Sequence, residues 1–260
     1  MIASSFNYYD IVEALIDNGA LVNLRSDDGF NALMESVKAN NIEIAKLLIE
    51  KGSDLNIKSE SGKTMLMIAC ENGNEKLFNI FLENNLNINE KSNWGANMLI
   101  YASYGGNINI IKYLIENGVD VNEKADYNGD TPLMWSISGE NPYEASKFLI
   151  ENGALINVQN DSEISPVLLA VASDPKIVKL LKDNGGDLDT KFSSFATPLI
   201  YAINSARLEI VKALVENGCD VNYCPNNNGW QTPIFTAIHS AQYEIAEYLL
   251  ETKLVDLNKK

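Results

Sequence analysis

A seven-residue block recurs along this chain at a nearly constant step, and that period limits the possible folds more than any other feature. The block reads acid, Asn (once Lys), usually Gly, two variable residues, an apolar residue and a closing Asn or Asp. It occupies residues 17–23, 50–56, 83–89, 116–122, 151–157, 183–189 and 216–222. Its closing positions 23, 56, 89, 122, 157, 189 and 222 are 33, 33, 33, 35, 32 and 33 residues apart. A worn eighth copy ends at Asn258. A period of roughly 20–50 residues marks a stack of short supersecondary units. Each unit is too small to bury its own apolar face, so it buries it against its neighbours.

The local pattern says what one unit is. Between Asn31 and Glu50, two short apolar segments flank a polar break at Asn40 and Asn41. Leu33, Met34, Ser36 and Val37 in the first segment follow the spacing of one helical face, as do Ile44, Ala45, Leu47 and Leu48 in the second. Asn41, Asn74, Asn107 and Asp174 stand where second helices begin and are expected to cap them. Pro142 and Pro175 follow Asn141 and Asp174, where a first helical turn accepts proline. Gly19, Gly52, Gly118, Gly153, Gly185 and Gly218 are expected to end second helices in the left-handed conformation. Polar stretches between pairs, such as residues 222–231, read as loops or hairpins. The pattern predicts a single all-α domain over residues 1–260. Its units fall at about 1–26, 27–59, 60–92, 93–126, 127–160, 161–192, 193–226 and 227–260.

These units resemble ankyrin repeats along the whole chain. That family's Thr-Pro-Leu-His opening is similar to Thr131-Pro-Leu-Met134, Thr197-Pro-Leu-Ile200 and Thr232-Pro-Ile-Phe235. It is more worn at Asn31-Ala-Leu-Met34, Thr64-Met-Leu-Met67, Asn97-Met-Leu-Ile100 and Ser165-Pro-Val-Leu168. The family's Asn-Gly-Ala-Asp-Val-Asn ending is similar to the recurring block. One departure is consistent: the fourth residue of the opening, usually histidine, is apolar in every copy. This removes a polar link between repeats and shifts cohesion towards apolar packing. The resemblance implies an ankyrin-repeat solenoid of about seven full repeats plus a partial N-terminal one, with hairpin-like loops between repeats. It also implies a scaffold that binds a protein or peptide, with the loops bordering the concave face.

Three expectations concern the array as a physical object. Nearly eight units with helices ~10–12 Å across should form a curved rod on the order of 80 Å long. The sixth unit, where Glu163 replaces a loop glycine and Asp189 a closing Asn, should be the weak point, with faster amide exchange at 167–181 than at 99–114. In register, Met1 falls where Met67 falls, inside a first helix. The first unit is therefore either an excerpt from a longer array, which is favoured, or a truncated cap. Phe6, Tyr8 or Tyr9 should then be partly exposed, giving end-to-end self-association or a frayed first unit.

Composition excludes more than it assigns. The net charge of −15 argues against nucleic acid and anionic membranes as partners and leaves a basic protein surface open. No stretch is apolar for the ~18 residues of a membrane span. Three cysteines, Cys70, Cys219 and Cys224, are too few for a disulfide framework and fit the cytoplasm. The one histidine, His239, sits at an exposed-type helical position and lacks a nucleophile pattern around it. No phosphate-binding glycine loop, calcium loop or zinc spacing occurs, so no enzyme activity, cofactor or metal is expected. The remaining alternative is a regulatory or targeting array of a longer protein whose catalytic domain lies outside this chain.

A conflict between register and residue type locates the expected binding face. Equivalents of positions 35 and 38 should point away from the core, where soluble arrays are polar. The middle repeats instead carry Ile68, Tyr101, Trp135, Leu169 and Tyr201 at the first position, with Tyr104 one turn after Tyr101. The loops add Trp94, Tyr127, Phe192, Tyr223 and Trp230. Exposed Tyr and Trp suit interface hot spots, and Glu123 and Asp126 could steer a basic partner. We expect Tyr101, Tyr104, Trp135 and Tyr201 at the centre of the groove. The competing account is that these rings pack on each other between repeats, and for the loop aromatics it is preferred.

Overall fold

The computed structural model describes residues 1–191, 196–224 and 232–258. Among them it holds sixteen α-helices, arranged as eight successive pairs. The pairs are α1 (Ile2–Ser5) and α2 (Tyr9–Asp17), α3 (Ala32–Lys38) and α4 (Ile42–Glu50), α5 (Met65–Glu71) and α6 (Glu75–Glu83), and α7 (Met98–Gly105) and α8 (Ile108–Glu116). They continue as α9 (Pro132–Ile137) and α10 (Pro142–Glu151), α11 (Pro166–Ala172) and α12 (Pro175–Asp183), α13 (Pro198–Asn204) and α14 (Leu208–Glu216), and α15 (Pro233–His239) and α16 (Tyr243–Glu251). α1 has four residues where the other first helices have six to eight. The described residues fall into two compact units, Met1–Ala145 and Ser146–Lys260. No described helix is long and apolar enough to cross a membrane.

The apolar fourth position of the opening does what its chemistry implies. Met34, Met67, Ile100, Met134, Leu168 and Ile200 are all buried, and Phe235 is half-buried. Just before six of the first helices, a polar side chain satisfies one of the N–H groups that the first turn leaves open. Asn31, Thr64, Asn97, Thr131, Ser165 and Thr197 accept from the amides of Met34, Met67, Ile100, Met134, Leu168 and Ile200. After the second helices, the six expected glycines stand at φ between 83° and 91°, with Asn85 taking the same role at 61°. A Cβ at these glycines would meet nothing within 4 Å, so the backbone conformation alone selects the residue.

The asparagines before second helices depart in part from the capping expectation. Asn74, Asn107 and Asp174 do cap, but the Asn41 side chain makes no cap bond. Its amide instead donates to the Ser4 carbonyl at 2.6 Å. The same position reaches back one repeat at four further places. Asn74 donates to Asn40 Oδ1, Asn107 to the Gly73 carbonyl and Asn141 to the Gly106 carbonyl. Arg207 does so with its guanidinium, donating to the Ala172 and Ser173 carbonyls. Apart from the Asn74 contact, which is to a side-chain oxygen, these rungs satisfy carbonyls at or just beyond first-helix C-termini, and Asn74 and Asn107 both cap and reach back.

Closing residues form a second set of rungs. Asn23 accepts from the Asp54 amide and donates to the Gly52 carbonyl, and Asn157 does the same with Asp187 and Gly185. Asp189 can only accept, from the Asp220 amide at 2.8 Å. Burial raises its carboxyl above the usual range, the Asp220 amide offsets part of this, and the Asp187 and Asp220 carboxylates add to the rise. In the same repeat, Glu163 sits at φ 61°, the left-handed conformation that Gly29, Gly62, Gly95 and Gly129 hold in the loops before it. Such a conformation costs a residue with a Cβ about 1–2 kcal/mol. Glu163→Gly and Asp189→Asn are therefore each expected to stabilise the full chain by about 1 kcal/mol in chemical denaturation at pH 7. The pH signs also differ. A raised carboxyl contributes stability that is present at low pH and lost as pH rises through its folded value. Asp189→Asn should remove that loss, and Glu163→Gly should not.

Candidate partner-binding face

In the first unit, α5, α7 and α9 approach through glycines. A Cβ at Gly105 would overlap the Cys70 carbonyl, and one at Gly139 would overlap the Tyr104 carbonyl. This closeness decides the fate of the expected aromatic row. Tyr101 is 0% exposed and Ile68 3%. Their expected outward orientation is thus corrected: at these spacings the Ile68 and Tyr101 side chains are enclosed between neighbouring first helices. Trp135 meets Tyr101 edge-on at 5.8 Å and Tyr104 at 6.0 Å, and its indole N–H donates to Asp130 at 3.2 Å. Trp135 and Tyr104 remain half-buried.

The other named residues divide clearly. Trp94 and Tyr127 are 47% and 79% exposed, yet their rings lie 6.5 Å apart and the Tyr127 amide donates to the Trp94 carbonyl at 3.1 Å. These two loop aromatics therefore pack on each other while keeping an open side. In the second unit Tyr201 is 42% exposed, Leu169 is half-buried, and half-buried Tyr223 lies under Lys191 at 5.7 Å. Phe192 and Trp230 lie outside the described residues.

The electrostatics of this face are also more local than expected. Glu123, expected to steer a partner, forms an ion pair with Lys91 and accepts from the Asn97 amide at 2.6 Å. Burial alone would raise its carboxyl, but these hydrogen bonds and the Lys91 charge bring it below the usual range. Asp126 remains exposed. Burial pushes the Cys70 thiol well up and the Cys219 thiol up to about 12, so neither of these two is a ready nucleophile.

Beside the Tyr104 ring, the first unit opens into a cleft of about 750 Å³ that residue-type reasoning did not single out. Phe30, Ser61 and Lys63 reach it from the loops, Lys38, Ile68, Glu71 and Tyr104 from the first helices, and Asn40, Asn72 and Glu140 from the turns. Lys63 Nζ sits 2.8 and 2.7 Å from the two Glu71 carboxylate oxygens and 5.1 Å from the Tyr101 ring centroid. Lys38 Nζ stands 5.3 Å from the Phe30 centroid. The signal available in the sequence was the recurrence of charge at first-helix C-termini, in Lys38 and Glu71, next to aromatic neighbours.

Comparison with known proteins agrees with this architecture. A family model described as ankyrin repeats matches residues 1–92, 81–160 and 167–260. An ankyrin repeat protein of Acanthamoeba polyphaga mimivirus is 31% identical over 97 residues, covering 37% of this chain and 12% of that protein. One from Borreliella burgdorferi is 31% identical over 85 residues, covering 32% of this chain and 38% of its own length. The matched stretches thus span well under half of either relative. The crystal structure of the human ASB11 ankyrin repeat domain superposes with a TM-score of 0.67. It does so at 22% identity, over 84% of this chain and 96% of that one, a likeness of fold. Capped helix pairs at a 33-residue step, joined by rungs one repeat apart and matched by the family model over nearly their full length, place this chain in the ankyrin repeat family.

Proposed function

We propose that the chain is a non-catalytic interaction scaffold that holds a protein or peptide segment against its first helices and loops, the concave side of such arrays. Ankyrin repeats generally mediate protein–protein interaction. The observation that carries the finer reading is the meeting of the half-buried Tyr104 and Trp135 rings beside a cleft lined with charge. Half-buried aromatics bring large contact area with a polar handle and little conformational entropy to lose. The overall charge of −15 and exposed Asp126 favour a basic partner over an acidic one. A cytoplasmic location belongs to the same proposal, as does self-association through exposed Ile2, Phe6 and Leu21.

The test compares faces. Tyr104→Arg combined with Tyr201→Arg should abolish recovery of partners captured on the full chain. Tyr243→Arg, at an exposed position on α16, should leave recovery intact. Loss of capture only with Tyr243→Arg would move the binding surface to the second helices. The second reading, a regulatory or targeting array within a longer protein, is favoured by the matched segment covering 12% of the mimivirus relative. The complete reading frame around this segment distinguishes the two.

A further inference from the structure

The cleft of the first unit has poles. Its centre is neutralised internally, because Glu71 holds the Lys63 ammonium through both oxygens. At one end Lys38 is exposed, with its ammonium over the Phe30 ring and no carboxylate partner among the described residues. At the other end Glu140 is exposed and equally without a cation, tied to the Tyr104 backbone only through its own amide at 2.8 Å. One cleft thus offers an unpaired cation over an aromatic ring at one end and an unpaired anion at the other, where Tyr104 also lines it, with a closed ion pair among its lining residues.

Resting on the scaffold reading above, we infer that this cleft selects an extended peptide carrying an acidic and a basic side chain in a fixed order. The acidic residue meets Lys38 at the Phe30 end. The basic one lies on the Tyr104 ring and pairs with Glu140, which adds a cation–π contact to the charge pair. The internal Lys63–Glu71 pair shows the same chemistry already satisfied within the chain, an ammonium held by carboxylate oxygens above a tyrosine ring. Lys38 and Glu140 lie in repeats two and five, so at ~8–10 Å per helix-to-helix step the ends are roughly 20–30 Å apart. Extended chain rises ~3.3 Å per residue, so the two charges should be about six to nine residues apart. A partner with a single sign of charge would leave one pole unpaired and repelled, so the arrangement sets direction as well as sequence.

The probe is a displayed library of random twelve-residue peptides, selected on the immobilised full chain and on a Lys38→Glu/Glu140→Lys variant. Both substitutions are at exposed positions, and circular dichroism checks that the variant is folded. The wild type should enrich an acid and a base at that spacing and in one order. The variant should enrich the opposite order, and a wild-type-selected peptide should bind it about fivefold or more weakly, as lost rim-charge pairs do. Peptides that bind both proteins equally, with no ordered charge pair, would overturn the charge-order inference and leave the scaffold reading standing. Failure to enrich any peptide on the wild type would overturn both.

Discussion

Tyr101→Ala is expected to destabilise the chain by about 3–5 kcal/mol, as truncations of large buried aromatics do, whereas Tyr101→Phe should be neutral or stabilising by about 1 kcal/mol. The ring is fully buried, with the Lys63 ammonium 5.1 Å from its centroid and the Trp135 ring in a T-shaped contact at 5.8 Å. Removing it opens a cavity between α7 and its neighbours that the glycine-mediated contacts at Gly105 and Gly139 hold open. The hydroxyl is a different matter. Tyr101 Oη is buried with no partner at hydrogen-bonding geometry, and so is Ser92 Oγ. The two hydroxyls lie close enough for Ser92 to favour the phenolate, but not at the geometry of a formed bond. An unsatisfied buried polar group lowers stability, so deleting the oxygen alone should relieve it.

The same residue gives a pH signature. Burial raises the phenol above its ordinary value near 10, Ser92 opposes part of this, and the Glu71 charge adds to it. A raised folded value means the native state keeps its proton longer than the unfolded chain. The associated stability is therefore intact below about pH 10 and lost as pH rises through the folded value. Denaturation of wild type and Tyr101→Phe, compared from pH 8 to 11, should show the difference between them shifting further towards the variant above pH 10. A pH-independent difference would mean the phenol is solvated, and Tyr101→Ala would then lose its status as a core truncation.

What could be read from the sequence follows from which interactions are local. Glycine after a helix, a polar cap before one and apolar spacing within one depend on residues a few positions apart. Gly19 and Asn74 could therefore be assigned from neighbours alone. Interactions one repeat apart were less legible. The burial of Ile68 and Tyr101 depends on how closely adjacent first helices approach, which Gly73, Gly105 and Gly139 set. Those glycines were in view, but a single helical wheel treats position 35 as outward whatever lies beside it. Asn41 and its equivalents fit the capping pattern, and their reach to the preceding repeat appears only once the repeats are stacked. Glu123 likewise looked free until Lys91, 32 positions earlier, came beside it. The array has a legible unit and a less legible interface, because each face is defined by two units at once.

Trp135→Ala and Tyr201→Ala should now behave differently, although register alone would expect both to weaken binding with little change in melting. Trp135 is half-buried, shares ring edges with Tyr101 and Tyr104, and donates to Asp130. Truncating it removes two aromatic pairs of about 0.5–1.5 kcal/mol each together with part of its buried area, so a stability loss of about 2–3 kcal/mol is expected. Tyr201 is 42% exposed at the first turn of α13, and its truncation should cost about 0.5–1 kcal/mol. At a true hot spot either change should also cost roughly 2 kcal/mol or more of binding free energy. Calorimetric titration of a peptide selected on the full chain, run beside chemical denaturation, separates the two quantities. Trp135→Phe keeps an aromatic edge against Tyr101 and Tyr104 while losing the indole N–H and contact area. It should recover most of the stability and only part of the affinity. If Trp135→Ala unfolds like a core truncation while the peptide binds Trp135→Phe and Tyr201→Ala as tightly as wild type, the rings are packing between repeats. The partner would then be held by the loops, where Trp94 and Tyr127 keep their open side.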